Sequence, residues 1–126
     1  MERESNLMSD IMDEMDPQVL GFIKQHVTTF TRWDTLKFFH ENPYTQDTAE
    51  NLARYVGRSP EVIRQEAQEM AQEGLFQSHG RGEHTVYLLT EDDDTRRLIA
   101  SLVEAARDRN FRMKLVYHIL RAGGQS

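Results

Sequence analysis

The sequence contains no cysteine, only three prolines and one tryptophan, and no long apolar run. Because cysteine is absent, a disulfide framework and a thiolate metal site are both excluded, and a reducing cytoplasm is the expected setting. No stretch approaches the roughly 18 apolar residues that a membrane-spanning helix needs. The acidic start has no basic flank followed by an apolar block, so we expect neither a signal peptide nor a membrane partner.

The charge of the chain is unevenly distributed. A formal net charge of −6 on 126 residues disfavours a nucleic-acid partner when it is taken alone. Residues 1–17, however, hold six carboxylates against one arginine, whereas residues 95–122 hold seven cations against two carboxylates. The two ends are therefore complementary, and we expect them to pair either within one protomer or across a dimer.

The first thirty residues are predicted to form a helical extension. A methionine-rich stripe at helical spacing indicates a short amphipathic helix, and it consists of Leu7, Met8, Ile11, Met12 and Met15. Asp16 and Pro17 suit the N-cap and first position of a second helix, which is expected to run to about Thr29. The apolar side chains of such a stripe need to be covered by another part of the protein.

The middle of the chain is predicted to form three helices followed by a β-hairpin. Thr31 and Asp34 form a variant of the capping box for the first of these helices. Asp47 and Glu50 repeat that arrangement for the second, which is expected to end at Gly57. The 126 residues are enough for one domain with a hydrophobic core and too few for two.

The third helix of this region is predicted from Pro60 to Glu73, after Ser59, and it is strongly acidic. Against the single cation Arg64 it carries Glu61, Glu66, Glu69 and Glu73. A glycine-flanked turn within residues 75–90 then predicts a hairpin, which is the only β structure we expect. The acids of residues 91–94 favour the beginning of a C-terminal helix, which is expected to break near residues 108–110 and to resume afterwards.

The order of these elements, and several of the residues, resemble the winged helix-turn-helix superfamily, most nearly bacterial MarR- or ArsR-type regulators. The similarity covers roughly residues 30–92 and lies in Leu52-Ala53, Gly57, Gly74 to Phe76, Arg81 and Tyr87 to Thr90. We therefore expect a mainly α fold with a small β-hairpin, a winged helix-turn-helix with extra N- and C-terminal helices. The resemblance implies a single domain with an extension over residues 1–30, a core over 31–90 and dimerisation helices over 91–122.

The same resemblance implies a homodimer that binds double-stranded DNA, with the third core helix in the major groove and the wing beside the backbone. Residues at the front of that helix would face the bases: Arg64 is expected to reach guanine and Gln65 or Gln68 adenine. The remaining candidates would contact phosphates or approach the groove. The full candidate set is Arg54, Arg58, Ser59, Arg64, Gln65, Gln68 and Arg81.

Other kinds of site find little support in the sequence. No nucleophile elbow, phosphate loop or metal motif organises the carboxylates, and none of the five histidines has zinc-ligand spacing, so we expect no enzyme, cofactor or metal site. Aromatic residues between Phe30 and Tyr44 could line a pocket for a small-molecule effector, although aromatics at this density usually form core.

The predicted function is a cytoplasmic, homodimeric, sequence-specific DNA-binding regulator of transcription. Over residues 48–90, however, four arginines stand against six glutamates. Glu69 and Glu73 lie late in their helix and would point away from DNA, which reduces this imbalance without removing it. The alternative is a winged-helix adaptor that has lost DNA readout and binds another protein.

Overall fold

The computed structural model of the protein describes residues 16–123, and in this range the chain is mainly helical with a small antiparallel sheet. Its helices are α1 (Pro17–His26), α2 (Phe30–Glu41), α3 (Ala49–Val56), α4 (Pro60–Gln72), α5 (Asp93–Ala105) and α6 (Arg109–Arg121). Its strands are β1 (Gln46–Thr48), β2 (Phe76–His79) and β3 (Val86–Leu89). The methionine-rich stripe predicted near the start of the chain lies outside the described residues. None of the helices in this range is long and apolar enough to cross a membrane.

The sheet contains the predicted hairpin and one strand that the sequence did not predict. β2 and β3 pair antiparallel, with Phe76 opposite Leu89 and His79 opposite Val86. β1 pairs with the other edge of β3, so β3 is the central strand. The prediction that the hairpin is the only β structure was therefore wrong. Three residues are too few to show an alternating pattern, and β1 forms because it satisfies the backbone groups of β3 that face away from β2.

Two of the predicted helix caps are shifted by one or two residues. α2 is capped by Thr29, whose hydroxyl accepts a hydrogen bond from the Arg32 amide at 3.0 Å, whereas Thr31 is buried inside the first turn. Because Thr29 adopts the extended conformation of an N-cap, α1 ends earlier than predicted, at His26. At the start of α3 the cap is Thr48.

Most of the remaining helix boundaries agree with the predictions. Gly57 ends α3 with a left-handed φ of 78°, and Ser59 caps α4 by accepting a hydrogen bond from the Val62 amide. The predicted break in the C-terminal helix exists, but it lies at residues 106–108, slightly before the predicted 108–110, because α5 ends at Ala105 and Asp108 caps α6. These ends fix where α4 begins, which matters for the candidate site.

One hydrophobic core joins the helices to the sheet. α1 and α2 both pack against α5, and α4 packs on α3 and β2. The larger fully buried side chains are Ile23, Leu36, Phe39, Leu52, Ile63, Met70, Leu75, Tyr87, Ile99, Leu102, Leu115 and Ile119. Burial of each such apolar side chain contributes about 1.5–3 kcal/mol relative to exposure. The core therefore holds α4 against the sheet along its Ile63 and Met70 side.

A buried ion-pair network, the Arg32 cluster, joins α1, α2 and α4. It consists of Arg32, Glu66, Glu73, His26 and Thr29. The Arg32 Nε donates to Glu66 Oε2 at 2.9 Å, and its two terminal nitrogens donate to the two Glu73 carboxylate oxygens at 2.9 and 2.8 Å. Two parallel hydrogen bonds of this kind form where the planar guanidinium of an arginine faces a carboxylate.

The outer members complete the Arg32 cluster. Thr29 donates its hydroxyl hydrogen to Glu66 Oε2 at 2.9 Å, and the Nδ1 of His26 lies 2.7 Å from Glu73 Oε1. Arg32 also donates to the carbonyl oxygen of His26 at 3.0 Å, which satisfies the end of α1. The Arg32 side chain is only 7% exposed. A charge buried to this extent is tolerated because carboxylates and hydrogen bonds surround it.

Two members of the Arg32 cluster, Arg32 and Glu73, have shifted pKa values. Burial alone lowers the pKa of the Arg32 guanidinium, but the hydrogen bonds and charges of Glu73 and Glu66 outweigh burial and raise it. Partial burial alone raises the pKa of the Glu73 carboxyl, but hydrogen bonds from Arg32 and His26 and their charges lower it below its ordinary value. Both shifts favour the charged forms and therefore the ion pair.

Replacing Arg32 with methionine is expected to lower the free energy of unfolding by about 3 kcal/mol, because it leaves two carboxylates without their cation. Urea unfolding measures this change. The matched control is Arg97→Met, which removes an ion pair with Asp94 whose side chains are 72% and 84% exposed, and which should change stability little. Equal stability of the two variants would show that the Arg32 cluster does not hold the helices together.

Glu73→Gln is expected to reduce stability at neutral pH and to reduce its dependence on acid. Because the pKa of Glu73 is lowered in the folded state, its ionised form stabilises the protein above the ordinary value of 4.5, and this contribution is lost as the pH falls further. The gap in unfolding free energy between wild type and variant should therefore narrow below about pH 4.5. The matched control is Glu83→Gln, the same change at an exposed carboxylate of the hairpin that lies outside the Arg32 cluster. A gap that stays constant from neutral to acidic pH would contradict this assignment.

Candidate nucleic-acid interface

The front of α4 is open to solvent. Ser59, Glu61, Gln65 and Gln68 are exposed, and Arg64 between them is half-buried. These positions recur at helical spacing and form one face, opposite the side that Ile63 and Met70 bury in the core. No part of the described chain covers this face. We call it the α4 front.

Most of the acidic residues of α4 point away from this front. Glu66 is 8% exposed and lies in the Arg32 cluster with Glu73, while Glu69 Oε2 lies 3.8 Å from an Arg32 terminal nitrogen. Glu61 is the one carboxylate of the helix on the α4 front. The acidity of the helix is therefore largely a property of its back, where the single cation Arg32 offsets part of it.

This compensation was missed at the level of sequence. Glu66, Glu69 and Glu73 stand three and seven positions apart, which places them on one helical face and is visible in the sequence. Their partner Arg32 lies 34 residues before Glu66. No local rule links residues so far apart, so the spacing indicated an acidic face but not what it contacts.

Arg58, one of the candidate phosphate contacts, has a partner inside the protein. Its terminal nitrogen Nη2 donates to Asp34 Oδ2 at 2.7 Å, and both side chains are about one-third exposed. Asp34 was expected to cap α2, but it lies inside the helix and holds the turn before α4 instead. Arg58 therefore positions this turn against α2, and any contact with a phosphate would compete with Asp34.

Arg64 and Gln68, two of the candidate base contacts, lie near a buried tyrosine. Tyr87, in β3, is 1% exposed. Its burial raises the pKa of the phenol, and the nearby Gln68 side chain and Arg64 charge offset part of that rise. The Gln68 side chain therefore lies close to β3. Gln65 and Ser59 are exposed, although the Ser59 oxygen already accepts the capping hydrogen bond.

The remaining candidates, Arg54 and Arg81, are both exposed. Arg54 lies in the last turn of α3, near the Asp47 carboxylate. Arg81 lies at the tip of the hairpin, immediately before a single 3-10 turn over Gly82–His84. The structure therefore places an arginine at the hairpin tip and another on α3, with the α4 front as a third exposed element.

The negative charge of this region is concentrated at the back of α4. Glu66, Glu69 and Glu73 share the single cation Arg32, so this group keeps an excess of two carboxylates, and the Glu69 and Glu73 side chains are 43% and 31% exposed. Away from that group, and with the Asp34-bound Arg58 set aside, Arg54, Arg64 and Arg81 stand against Glu50, Glu61 and Glu83, three cations and three carboxylates. These six charges balance, and the negative excess that the composition of the region indicated lies at the back of α4.

The predicted aromatic pocket is not formed by the aromatics that suggested it. Phe39 is fully buried, and Phe30, Trp33 and Phe38 pack against the core. Of this group only Trp33 lines a groove of about 630 Å³ between α2 and the ends of α5 and α6. Within residues 16–123 no three His, Cys, Asp or Glu side chains are grouped so that they could hold a metal ion.

In comparisons with known proteins, no family model matches the chain and no curated protein matches it.

The turn of the hairpin depends more on Gly80 than on Gly82. Gly80 and Gly82 both have left-handed φ angles, 97° and 56°, which cost other residues about 1–2 kcal/mol. A Cβ atom at Gly80 would also lie 2.7 Å from the carbonyl oxygen of His84, whereas one at Gly82 meets nothing within 4 Å. Gly80→Ala is therefore expected to lower the melting temperature more than Gly82→Ala, as measured by circular dichroism. Equal losses would show that backbone conformation alone matters here.

Proposed function

We propose that this chain is a winged helix-turn-helix regulator of transcription that binds double-stranded DNA as a homodimer. The single observation that carries the proposal is the orientation of α4. Its exposed front presents Arg64 and Gln65, while Glu66, Glu69 and Glu73 turn back toward Arg32. In a helix-turn-helix protein only the first turns of the recognition helix contact DNA. Glu66, Glu69 and Glu73 would therefore not lie between α4 and the phosphates.

The arrangement of elements supports a winged helix. Helices α2, α3 and α4 are followed by a hairpin with a glycine-rich tip, and β1 adds the third strand between α2 and α3. In a winged helix-turn-helix the third of these helices would enter the major groove. The hairpin would then lie beside it as the wing, with Arg81 at its tip.

The candidate residues divide into two roles under this proposal. Arg64 and Gln65 are placed to contact base edges, and bidentate contacts of this kind discriminate bases by about 1–3 kcal/mol each. Arg54 and Arg81 would contact phosphates and set the position of the protein on the duplex. Arg58 and Gln68 have internal neighbours in Asp34 and Tyr87, so we assign them mainly to holding α4 in place.

A homodimer accounts for the helices beyond the winged core. An apolar stripe on α6 is exposed in the described structure, and it consists of Met113, Val116, Tyr117 and Leu120. A stripe of this size on a helix at the edge of a domain is typical of an interaction surface. We propose that α6 and the N-terminal segment together form the dimer interface, which would present two α4 helices to half-sites about one helical turn apart.

The lack of excess positive charge in the region favours a second candidate function, that of a protein-interaction adaptor. Non-specific affinity for DNA depends on lysine and arginine contacts to phosphates. Arg54, Arg64 and Arg81 are offset by three glutamates and supply little of this attraction. In the adaptor the α4 front would bind another protein through its mixed charges and amides.

Selection from a random duplex library separates the two functions. A DNA reader should enrich a motif with two related half-sites and lose affinity as salt rises. Arg64→Ala should relax the base preference at one position of each half-site, at a cost of about 1–3 kcal/mol. Arg81→Ala should weaken all sequences alike and reduce the salt slope by about 1 per protomer.

The control for these variants is Arg97→Ala, which removes an exposed arginine of α5 outside the α4 front and should leave binding unchanged. If no sequence is enriched even at low salt, the DNA-binding proposal is wrong and the adaptor is favoured. Enrichment that survives Arg64→Ala without any change in base preference would show that α4 is not the reading element.

A further inference from the structure

The outer face of α6 combines exposed apolar side chains with cations only. Met113, Val116, Tyr117 and Leu120 are 60%, 43%, 36% and 56% exposed, and their spacing of three and four residues places them in one line along the helix. We call this line the α6 stripe. The opposite side of α6 is anchored in the core by Leu115 and Ile119. The helix is therefore apolar on two sides, and only one of them is covered by the described chain.

The charges beside the α6 stripe are all positive. Between Arg109 and Arg121 the helix carries Arg109, Arg112, Lys114 and Arg121 and no carboxylate. Arg121 lies over the Tyr117 ring, 5.8 Å from its centroid, and so borders the stripe directly. Two α6 helices placed stripe to stripe would bring eight cations together without a counter-charge. Direct contact between two copies of α6 is therefore disfavoured, since like charges across an interface oppose association.

One segment of this chain has the complementary properties. Residues 1–15 hold five carboxylates against a single arginine, and they carry the methionine-rich apolar pattern from Leu7 to Met15. Apolar residues flanked by opposite charges determine partner choice when helices pair. Nine residues in helical conformation span about 13 Å, close to the roughly 11 Å from the beginning to the end of the α6 stripe.

The segment is also attached near enough to reach α6. The ring of His118, on α6, lies against the backbone carbonyls of Ile23 and Val27 at the end of α1. α1 is ten residues long, so its beginning at Pro17 is about 15 Å from that contact. Fifteen residues can turn back over this distance. A tether of this length gives an effective concentration on the order of millimolar, far above that of a second molecule in dilute solution.

We propose that residues 1–15 of the same chain lie on the α6 stripe, with their carboxylates beside Arg109, Arg112, Lys114 and Arg121. The segment covers the apolar side chains and neutralises α6, and a second copy then meets this composite surface and not the bare cationic helix. The inference does not depend on DNA binding. It names what contacts α6 directly within the dimer proposed above.

Engineered disulfides test the contact, because the chain has no cysteine of its own. Val116→Cys is combined with a cysteine at Met8, Ile11, Met12 or Met15 in turn, so that the unknown register of the two segments does not decide the outcome. The matched control pairs the same four substitutions with Ser78→Cys, an exposed residue of the wing. Non-reducing electrophoresis and intact mass, at low micromolar protein, follow the product with time.

At least one Val116→Cys pair is expected to form a disulfide within single chains about tenfold faster than the Ser78→Cys controls, because docking raises the effective concentration at the stripe. Covalent dimers as the main product would overturn the proposal and show that the segment of a second copy occupies the stripe. Rates that are equal for all Val116→Cys and Ser78→Cys pairs would show that the segment does not dock there.

Charge reversal provides an independent measurement. Replacing Asp10, Asp13 and Glu14 with lysine should slow the fastest crosslink several-fold, and adding Lys114→Glu and Arg121→Glu should restore it, because the interaction depends on opposite charge. A crosslinking rate that the lysine substitutions leave unchanged would exclude charge complementarity as the basis of docking. None of these measurements involves DNA, so their outcome is separate from that of the binding selection.

Discussion

The position of α4 depends on one guanidinium group. Arg32 holds Glu66 and Glu73, which are almost two helical turns apart, and so fixes the rotation of α4 about its own axis. With those carboxylates turned inward, the periodicity of the helix turns Arg64 and Gln65 outward. The Arg32 cluster therefore links the core of the protein to the chemistry of its exposed face.

This cluster also changes how the charge of the chain should be interpreted. Counted by composition, the region from Thr48 to Thr90 is acidic, but a ligand at the surface encounters only the charges that remain unpaired on the face it approaches. Three of the carboxylates in this region surround Arg32, an arginine outside it that offsets one of their charges, and Arg58 is paired with Asp34 in α2. The negative excess therefore lies at the back of α4, and the charges that remain elsewhere in the region balance. A balanced face supplies little general attraction to a phosphate backbone, because that attraction scales with the excess of cations.

Local features of the structure could be predicted well from the sequence, and long-range ones could not. The Ser59 cap, the left-handed Gly57 and the hairpin each depend on residues within a few positions of one another, and each was predicted. Strand β1 was missed because it forms only where a partner strand is already present. The capping residue of α2 was misplaced between two threonines, Thr29 and Thr31, since both have the same capping chemistry and only packing distinguishes them. For the candidate site, the outward direction of Gln65 followed from periodicity, whereas the partners of Glu66 and Arg58 required the tertiary structure.

The same reasoning applies to the opposite end of the molecule, where the balance of charge is reversed. On α4 an excess of carboxylates is offset in part by Arg32, but on α6 no carboxylate lies among the cations of the helix itself. Its Leu115 and Ile119 side is buried, and the stripe from Met113 to Leu120 is exposed. An apolar surface bordered by uncompensated cations favours an acidic, apolar partner over a copy of itself. The first fifteen residues of this chain have that composition, so the segment that we propose to cover the α6 stripe would also neutralise the cations of α6.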